Sequence, residues 1–299
     1  MRHLIAKAMS TSLAVATVGA LLVLSSSPAH SAGAVCNADS HLSTILKRGK
    51  LLAGVRFDAP PQGSVDQSGN NVGFGPDIAR EFAKHLGVTV EFVQTNDGTR
   101  FALLQNGTID AEFGITTPTK ARNEVVDFAD APYMWDRAVI MIHEGKSKKP
   151  QDYYSDSTTV VCTTQGGLYA DMWHKLAPKA NMKLFQEFTD VVTALRTGKI
   201  DVAVIPEIAA NQAMANLGDQ SKGLVVGDSF YQDSESIMVP QNDSKWRNYI
   251  NWGMQRMWAD GTFQQLYKKD LGSDAPHELW HGGQLQPGVT DIGKECDPW

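Results

Sequence analysis

Asp77-Ile78-Ala79-Arg80-Glu81-Phe82-Ala83-Lys84-His85-Leu86-Gly87-Val88-Thr89-Val90-Glu91-Phe92-Val93 changes its apolar period once, and that change decides the fold. Through Leu86 the apolar residues Ile78, Ala79, Phe82, Ala83 and Leu86 recur at the spacing of one helix face, and Gly87 suits a helix end. From Val88 the pattern alternates residue by residue, as a strand does. Working outward, Lys50 to Val55 reads as a preceding strand, followed by the loop Phe57-Asp58-Ala59-Pro60-Pro61. Thr99 to Gln105 reads as a second helix, closed by Asn106-Gly107, and Ile109 to Ile115 as a third strand. Strand–helix–strand–helix–strand predicts a mostly parallel sheet with helices on its faces. A second cycle follows. Strands are expected at Ala138 to His143, Thr158 to Cys162 and Ile200 to Ile205. Helices are expected at Leu168 to Leu176, after the turn Gln165-Gly166-Gly167, and at Asp190 to Arg196 before Gly198. Ser236 to Val239 reads as a late strand, and Tyr249 to Trp258 and Thr262 to Leu271 as late helices. Trp246, Trp252 and Trp258 in that region read as packing residues. Two α/β halves with a polar passage near 144–151 predict two lobes rather than one sheet.

The start of the chain reads as an export signal. Arg2, His3 and Lys7 precede an uncharged apolar run from Leu13 to Leu24, and Ala32-Gly33-Ala34 offers small residues for cleavage after Ala34. The run is short for about 30 Å of hydrocarbon, which favours a cleaved segment 1–34 over an anchor. A lipid anchor at Cys36 ranks second, because Val35 is a poor match to the small residue that such a site needs. Hydrophobic residues make up 42% of the sequence, enough for a real core. A formal charge of -6 argues against nucleic acid as a partner. Of the three cysteines, Cys162 sits in an apolar strand-like stretch. Cys36 and Cys296 lie near the chain ends, which often meet in space, so a disulfide between them is one pairing open to an exported protein.

Several segments in order resemble the polar-amino-acid-binding family of extracytoplasmic solute-binding proteins, the capture subunits of ATP-driven importers. They are Gly49-Lys50-Leu51-Leu52-Ala53-Gly54-Val55-Arg56, Val72-Gly73-Phe74-Gly75-Pro76-Asp77-Ile78-Ala79, Leu103-Leu104-Gln105-Asn106-Gly107-Thr108-Ile109-Asp110 and Thr116-Thr117-Pro118-Thr119-Lys120-Ala121-Arg122. Val125-Val126-Asp127-Phe128, Ala194-Leu195-Arg196-Thr197-Gly198-Lys199-Ile200-Asp201 and Ala259-Asp260-Gly261-Thr262-Phe263 continue the series. Each is weak alone, and the order and spacing over almost the whole exported chain carry the resemblance. It implies a periplasmic-binding-protein-like α/β fold of type II, two lobes joined by a two-strand hinge. The first lobe would be discontinuous, 36–141 plus 236–299, with 142–235 inserted and hinge strands near Val139–His143 and Gly227–Ser236. It implies a monomer outside the cytoplasm, a membrane permease as partner, a small anionic ligand and no cofactor or metal.

For the site, the resemblance implies that Arg122 pairs with the ligand's α-carboxylate. A guanidinium fork matches a carboxylate with two parallel charge-assisted hydrogen bonds. Thr117 and Thr119 precede it as hydroxyl donors, and Gly114 to Thr116 offer backbone groups at a strand end. Arg56 ends the first strand, where members that take glutamate or aspartate resemble this sequence, and two cleft arginines would suit a ligand with two carboxylates. The alternative for Arg56 is a structural salt bridge. Phe57 stands in for an aromatic beside the Pro pair, and Gly166 and Gly167 offer amides as anion donors. The family's aspartate for the ligand's ammonium aligns with Pro206, and Glu207 follows one residue later. That departure leaves a non-amino dicarboxylate open as the ligand. It also leaves open an enzyme on the same scaffold, similar to a cyclohexadienyl or arogenate dehydratase with Glu207 as general acid, and a sensory binding protein. His277-Glu278-Leu279-Trp280-His281 matches the zinc-protease pattern, but Pro276 and Gly282-Gly283 leave little more than one helical turn. The expected role of this segment is a tail packed on the first lobe.

Overall fold

The computed structural model of the chain describes residues 40–279. The export segment 1–34, Cys36, Cys296, Trp280 and His281 lie outside the described residues.

Among these residues the strands form two five-stranded sheets and a small three-stranded one. The first sheet runs, in spatial order, Thr89–Gln94, Lys50–Val55, Ala111–Glu112, Met238–Val239, Asp127–Phe128. Its first three strands are parallel, and Met238–Val239 enters antiparallel. The chain therefore returns late to complete the sheet with which it began. The second sheet runs Asn181–Phe185, Val160–Thr164, Val202–Pro206, Met134–His143, Leu224–Glu235. Its last two strands are antiparallel to each other over nearly their full length. Every strand of this sheet lies between 134 and 235 in sequence. Asp58–Ala59, Gly63–Val65 and Asn71–Val72 make the small sheet.

The apolar runs show why these strands are central. In Met134–His143, Ala138, Ile140 and Ile142 face one core with Trp173, Val202 and Val204. Val139 and Met141 face another with Leu195, Ala203 and Ile205. Successive side chains alternate across a strand, so a strand covered on both faces must be apolar throughout. The first lobe packs a large core, in which Phe74, Phe82 and Phe113 meet Trp246, Tyr249 and Phe263, and a smaller one of Leu104, Ile109, Val126, Phe128 and Met238.

Several elements exceed or fall short of the sequence expectation. The strand expected from Ala138 starts at Met134, and the strand expected over 109–115 is reduced to Ala111–Glu112. The helix expected from Tyr249 spans Ser244–Asp260, capped by the Asp243 carboxylate on the Trp246 amide. Trp246 is buried, and its indole N–H donates 2.8 Å to the Asp110 carbonyl. Trp258 stacks on Phe263 at 4.6 Å. Trp252, expected to pack, is 45% exposed, because the buried face of the helix runs through Trp246, Tyr249, Ile250, Gly253, Met254 and Met257. Helices His41–Arg48 and Glu207–Leu217 and strand Asn181–Phe185 had no expectation. His277–Leu279 is a single 3-10 turn whose Leu279 is buried in the first core.

Candidate ligand-binding site

In parallel α/β sheets, ligands lie beyond the carboxyl ends of the strands. Both large sheets point such ends at a shared cleft. Asp97 and Arg100 follow strand Thr89–Gln94, and Ile115 and Thr117 follow Ala111–Glu112. From the other side, Thr164 and Pro206 are the last residues of their strands, and Gly167 to Tyr169 open a helix. Together with Arg122, Phe188 and Glu235 they line a narrow cleft.

The loop Phe113–Thr117 is held rigidly. The buried Gln62 amide donates 2.7 Å to the Phe113 carbonyl, the Tyr133 hydroxyl donates to the Gly114 carbonyl, and Arg100 Nη1 donates 2.5 Å to the Ile115 carbonyl. Thr116 Oγ1 donates 2.9 Å to buried Glu112, whose carboxyl is pushed upward by burial. A Cβ at residue 114 would fall 1.8 Å from Glu112 Oε1, so glycine there leaves the Glu112 carboxyl its place. The loop's rigidity fixes Thr117, whose carbonyl accepts 2.8 Å from Arg122 Nη1 and whose hydroxyl donates 2.8 Å to Asp233.

Arg122 sits on the short helix Lys120–Asn123, which the Thr119 side chain caps. Its guanidinium lies 5.6 Å from the Phe101 ring centroid. Among the described residues its hydrogen bond to Thr117 is its one side-chain bond, so most of its donors are uncommitted. Burial, with Arg100 next in weight, pulls its pKa down to about 10. An underpaired, half-buried guanidinium in a cleft favours an anion.

Arg56 is placed differently. It is fully buried and does not line the cleft. Nε and Nη2 each donate 2.7 Å to the Asp58 carboxylate, Nη1 lies 3.4 Å from Asp97, and Nη2 lies 3.9 Å from Glu187. Its guanidinium carbon stacks 4.5 Å over the Phe188 ring. Burial opposes its charge, but Asp97, Asp58 and Glu187 outweigh burial and raise its pKa. The neighbouring groups reach across the cleft: the Phe188 amide donates 2.8 Å to Asp58, Asn96 donates 3.0 Å to Glu187, and the Thr164 hydroxyl donates to Asp97. Asp97 is held below the usual carboxylate range, because Arg100, Arg56 and the Thr164 bond overcome burial.

The remaining expected site residues divide. Thr117 and Gly167 line the cleft, while Thr116 and Thr119 are engaged in the scaffold just described. Gly166 has φ +80 and backs onto Asp97, where a Cβ would fall 2.7 Å from its carbonyl oxygen. Phe57 packs, half-buried, against the first core. Glu207 makes two 2.7 Å hydrogen bonds with Arg137 and is not among the lining groups. Cys162 is buried in its strand as expected, its thiol pushed up to about 12 by burial.

Sequence reasoning missed Asp97, Arg100, Phe188 and Glu235. Asp97 and Arg100 lie three residues apart and pair at 2.9 Å. The alternation Asp233-Ser234-Glu235 in an expected hinge strand was a readable signal, because residues two apart on a strand share a face. Asp233 is 3% exposed and accepts from Thr117 and, at 3.3 Å, from the Tyr169 hydroxyl. Its carboxyl and that of Glu235 are raised, first of all by burial.

Comparison with known proteins agrees with this architecture. The profile of the bacterial extracellular solute-binding proteins, family 3, matches residues 51–161 and 147–273. The chain is 26% identical over 238 residues to the ABC transporter glutamine-binding protein GlnH of Bacillus subtilis, covering 78% of this chain and 85% of that one. It is 24% identical over 280 residues to the glutamate-binding protein GluB of Corynebacterium efficiens, covering 90% and 94%. The crystal structure of an ArgBP mutant from T. maritima superposes with TM-score 0.71 at 26% identity, covering 78% of this chain and 100% of that one. Two α/β lobes around a charged cleft and a profile match across most of the chain lead to one statement: the protein belongs to the bacterial extracellular solute-binding proteins, family 3, and its role is to bind a solute.

Proposed function

We propose that the protein captures an amino acid outside the cytoplasm and delivers it to the permease of an ABC importer. The observation that carries this reading is Arg122, a half-buried guanidinium with uncommitted donors beside Thr117 and the Gly167 helix start. The ligand's carboxylate would take the Arg122 fork, with the Gly167 and Leu168 amides around it. Relatives named for glutamine, glutamate, cystine and arginine support an amino acid as the class. An acidic side chain is the narrower proposal, with Arg100 as the second cation at the cleft. Arg56 is then a bridge that favours closure rather than a direct ligand contact. Closure follows from differential contacts: a ligand held by both lobes stabilises the state in which they meet.

The proposed division is 36–141 plus 236–299 for one lobe and 142–235 for the other, with a cleavable 1–34 segment, a Cys36–Cys296 staple and a monomeric state. The second sheet's strands, all within 134–235, support the inserted lobe. The dehydratase alternative draws on a likeness to an ancestral amino-acid-binding protein described as a precursor of cyclohexadienyl dehydratase. The expected acid, Glu207, is engaged by Arg137 away from the cleft lining, which favours binding over turnover. Calorimetric titration with the common L-amino acids tests the proposal. One of them should bind tightly to the full chain, and Arg122→Ala should abolish that binding. Unchanged affinity in the variant removes Arg122 from the site, and turnover of prephenate or arogenate would replace binding with catalysis.

A further inference from the structure

Glu235 is the one lining carboxylate of the cleft without a partner among the described residues. It is fully buried, and neither of its carboxylate oxygens receives a hydrogen bond. It stands at the end of the hinge strand Leu224–Glu235, two residues from Asp233 and therefore on the same face. Asp136 of the paired strand lies directly opposite Asp233. The other lining carboxylate, Asp97, is already committed to Arg100, Arg56 and Thr164. The strand end on the second lobe that could offer an acid carries Pro206, which has neither charge nor donor. The cleft thus presents an underpaired cation, Arg122, and an unpaired acid, Glu235, to the same small volume.

We propose that Glu235, backed by Asp233, is the acceptor for the ligand's ammonium group, so that the α-amino group is held by the hinge strand rather than by the second lobe's strand end. This inference rests on the amino-acid reading and adds to it a residue, a location and a proton. A buried carboxyl needs either its own proton or a cation. The groups around Glu235 are Asp233 and Tyr231 on its own strand, Asp136 on the paired strand, Arg100 and Arg122 from the first lobe, and the Tyr133 and Tyr169 hydroxyls. Burial and the two aspartates favour the protonated form over the opposing pull of the two arginines. Binding then exchanges one cation for another. The Glu235 carboxyl and the ligand's R–NH3+ become a carboxylate–ammonium pair, and the displaced proton leaves to solvent. The Asp233 carboxyl, held by Thr117 and Tyr169, sets the strand face against which that pair forms. Because the acceptor sits on a strand that joins the lobes, the amino group reports directly to the hinge.

The test is calorimetry on the full chain with L-glutamine, L-glutamate, L-arginine and L-cystine, and with 2-hydroxyglutarate and glutarate as partners lacking the amino group. Titrations run near neutral pH in two buffers of different ionisation enthalpy. The wild type should bind an amino acid with release of close to one proton. Glu235→Gln should lose about 100-fold in affinity for that amino acid, release no proton, and bind 2-hydroxyglutarate or glutarate no worse than the wild type. Asp233→Asn should show the same trend at smaller size. If the amino acid binds to Glu235→Gln as to wild type, Glu235 is not the acceptor and the amino-acid reading stands; if it binds wild type without proton release, the proton exchange at Glu235 is overturned. If glutarate binds and no amino acid does, both fall. Thermal melting separates a misfolded variant from a ligand effect, and Asp233→Asn carries the test where Glu235→Gln does not fold.

Discussion

Arg56 and Arg122 belong to the same lobe and the same family-like pattern, yet the structure gives them opposite surroundings. Arg56 is enclosed: Asp58 takes its fork, Asp97 and Glu187 stand at 3.4 and 3.9 Å, and Phe188 covers its face. Arg122 has a backbone carbonyl and an aromatic ring, and no carboxylate within ion-pair distance among the described residues. The first arrangement consumes charge to hold two surfaces together. The second leaves charge uncompensated where a solute can reach it. A guanidinium in a cleft is therefore not by itself a ligand contact; what matters is whether its donors are already taken.

The largest way to break this comparison is Arg56→Ala. Removing one partner of a buried pair strands the others, so unfolding stability should drop by about 3–5 kcal/mol, read by chemical denaturation. A drop below about 1 kcal/mol, the size of an exposed pair, would show that Arg56 does not bridge. Arg122→Ala sharpens the contrast from the other side. Ligand affinity should fall by at least about 2–4 kcal/mol, while the melting temperature of the free protein stays within a few degrees of wild type.

A third measurement addresses the acid cluster on the hinge. Burial raises Asp136 to about 7, with Asp233 and Glu207 adding to the effect and the Arg137 and Ile208 amides opposing it. A carboxyl raised in the folded state binds its proton more tightly there than in the unfolded chain. Its contribution is present below the unfolded value near 4 and is lost as pH rises toward 7. Stability of the wild type should decline across that window by up to about 1.4 kcal/mol per pH unit from this group, and Asp136→Asn should flatten the slope. The smallest effect is expected for Thr164→Val, which removes one neutral donor to Asp97 across the cleft. Ligand affinity should weaken by about 0.5–1.5 kcal/mol through a less stable closed form, with little change in unfolding midpoint.

Much of the fold was legible because it follows from periodicity. The switch at Gly87 from helical to alternating spacing corresponds to helix Phe74–His85 and strand Thr89–Gln94. Val202–Pro206 is buried throughout, as an apolar run covered on both faces requires. Boundaries were less legible where pairing, not pattern, sets them. Met134 to Arg137 carry mixed character and become strand because Gln232 to Glu235 lie opposite them. The site was half legible. Arg122, Thr117 and Gly167 line the cleft, Thr116, Thr119 and Gly166 support it, and Arg56, Phe57 and Glu207 are engaged elsewhere. Glu235 escaped notice because a carboxylate reads as a surface residue until its burial is known.

By itself the sequence determined which segments alternate and which recur at helical spacing, and from their order the two-lobed α/β architecture. These depend on local geometry and on the sign of each side chain, which a sequence states outright. Only the tertiary structure decided which charges meet. Asp97 and Glu187 converge on Arg56 from two remote segments and join its near neighbour Asp58, and nothing converges as fully on Arg122 or on Glu235. Charge pairing depends on distances between segments remote in sequence, and so does the difference between an arginine that holds the lobes together and one left to hold a solute.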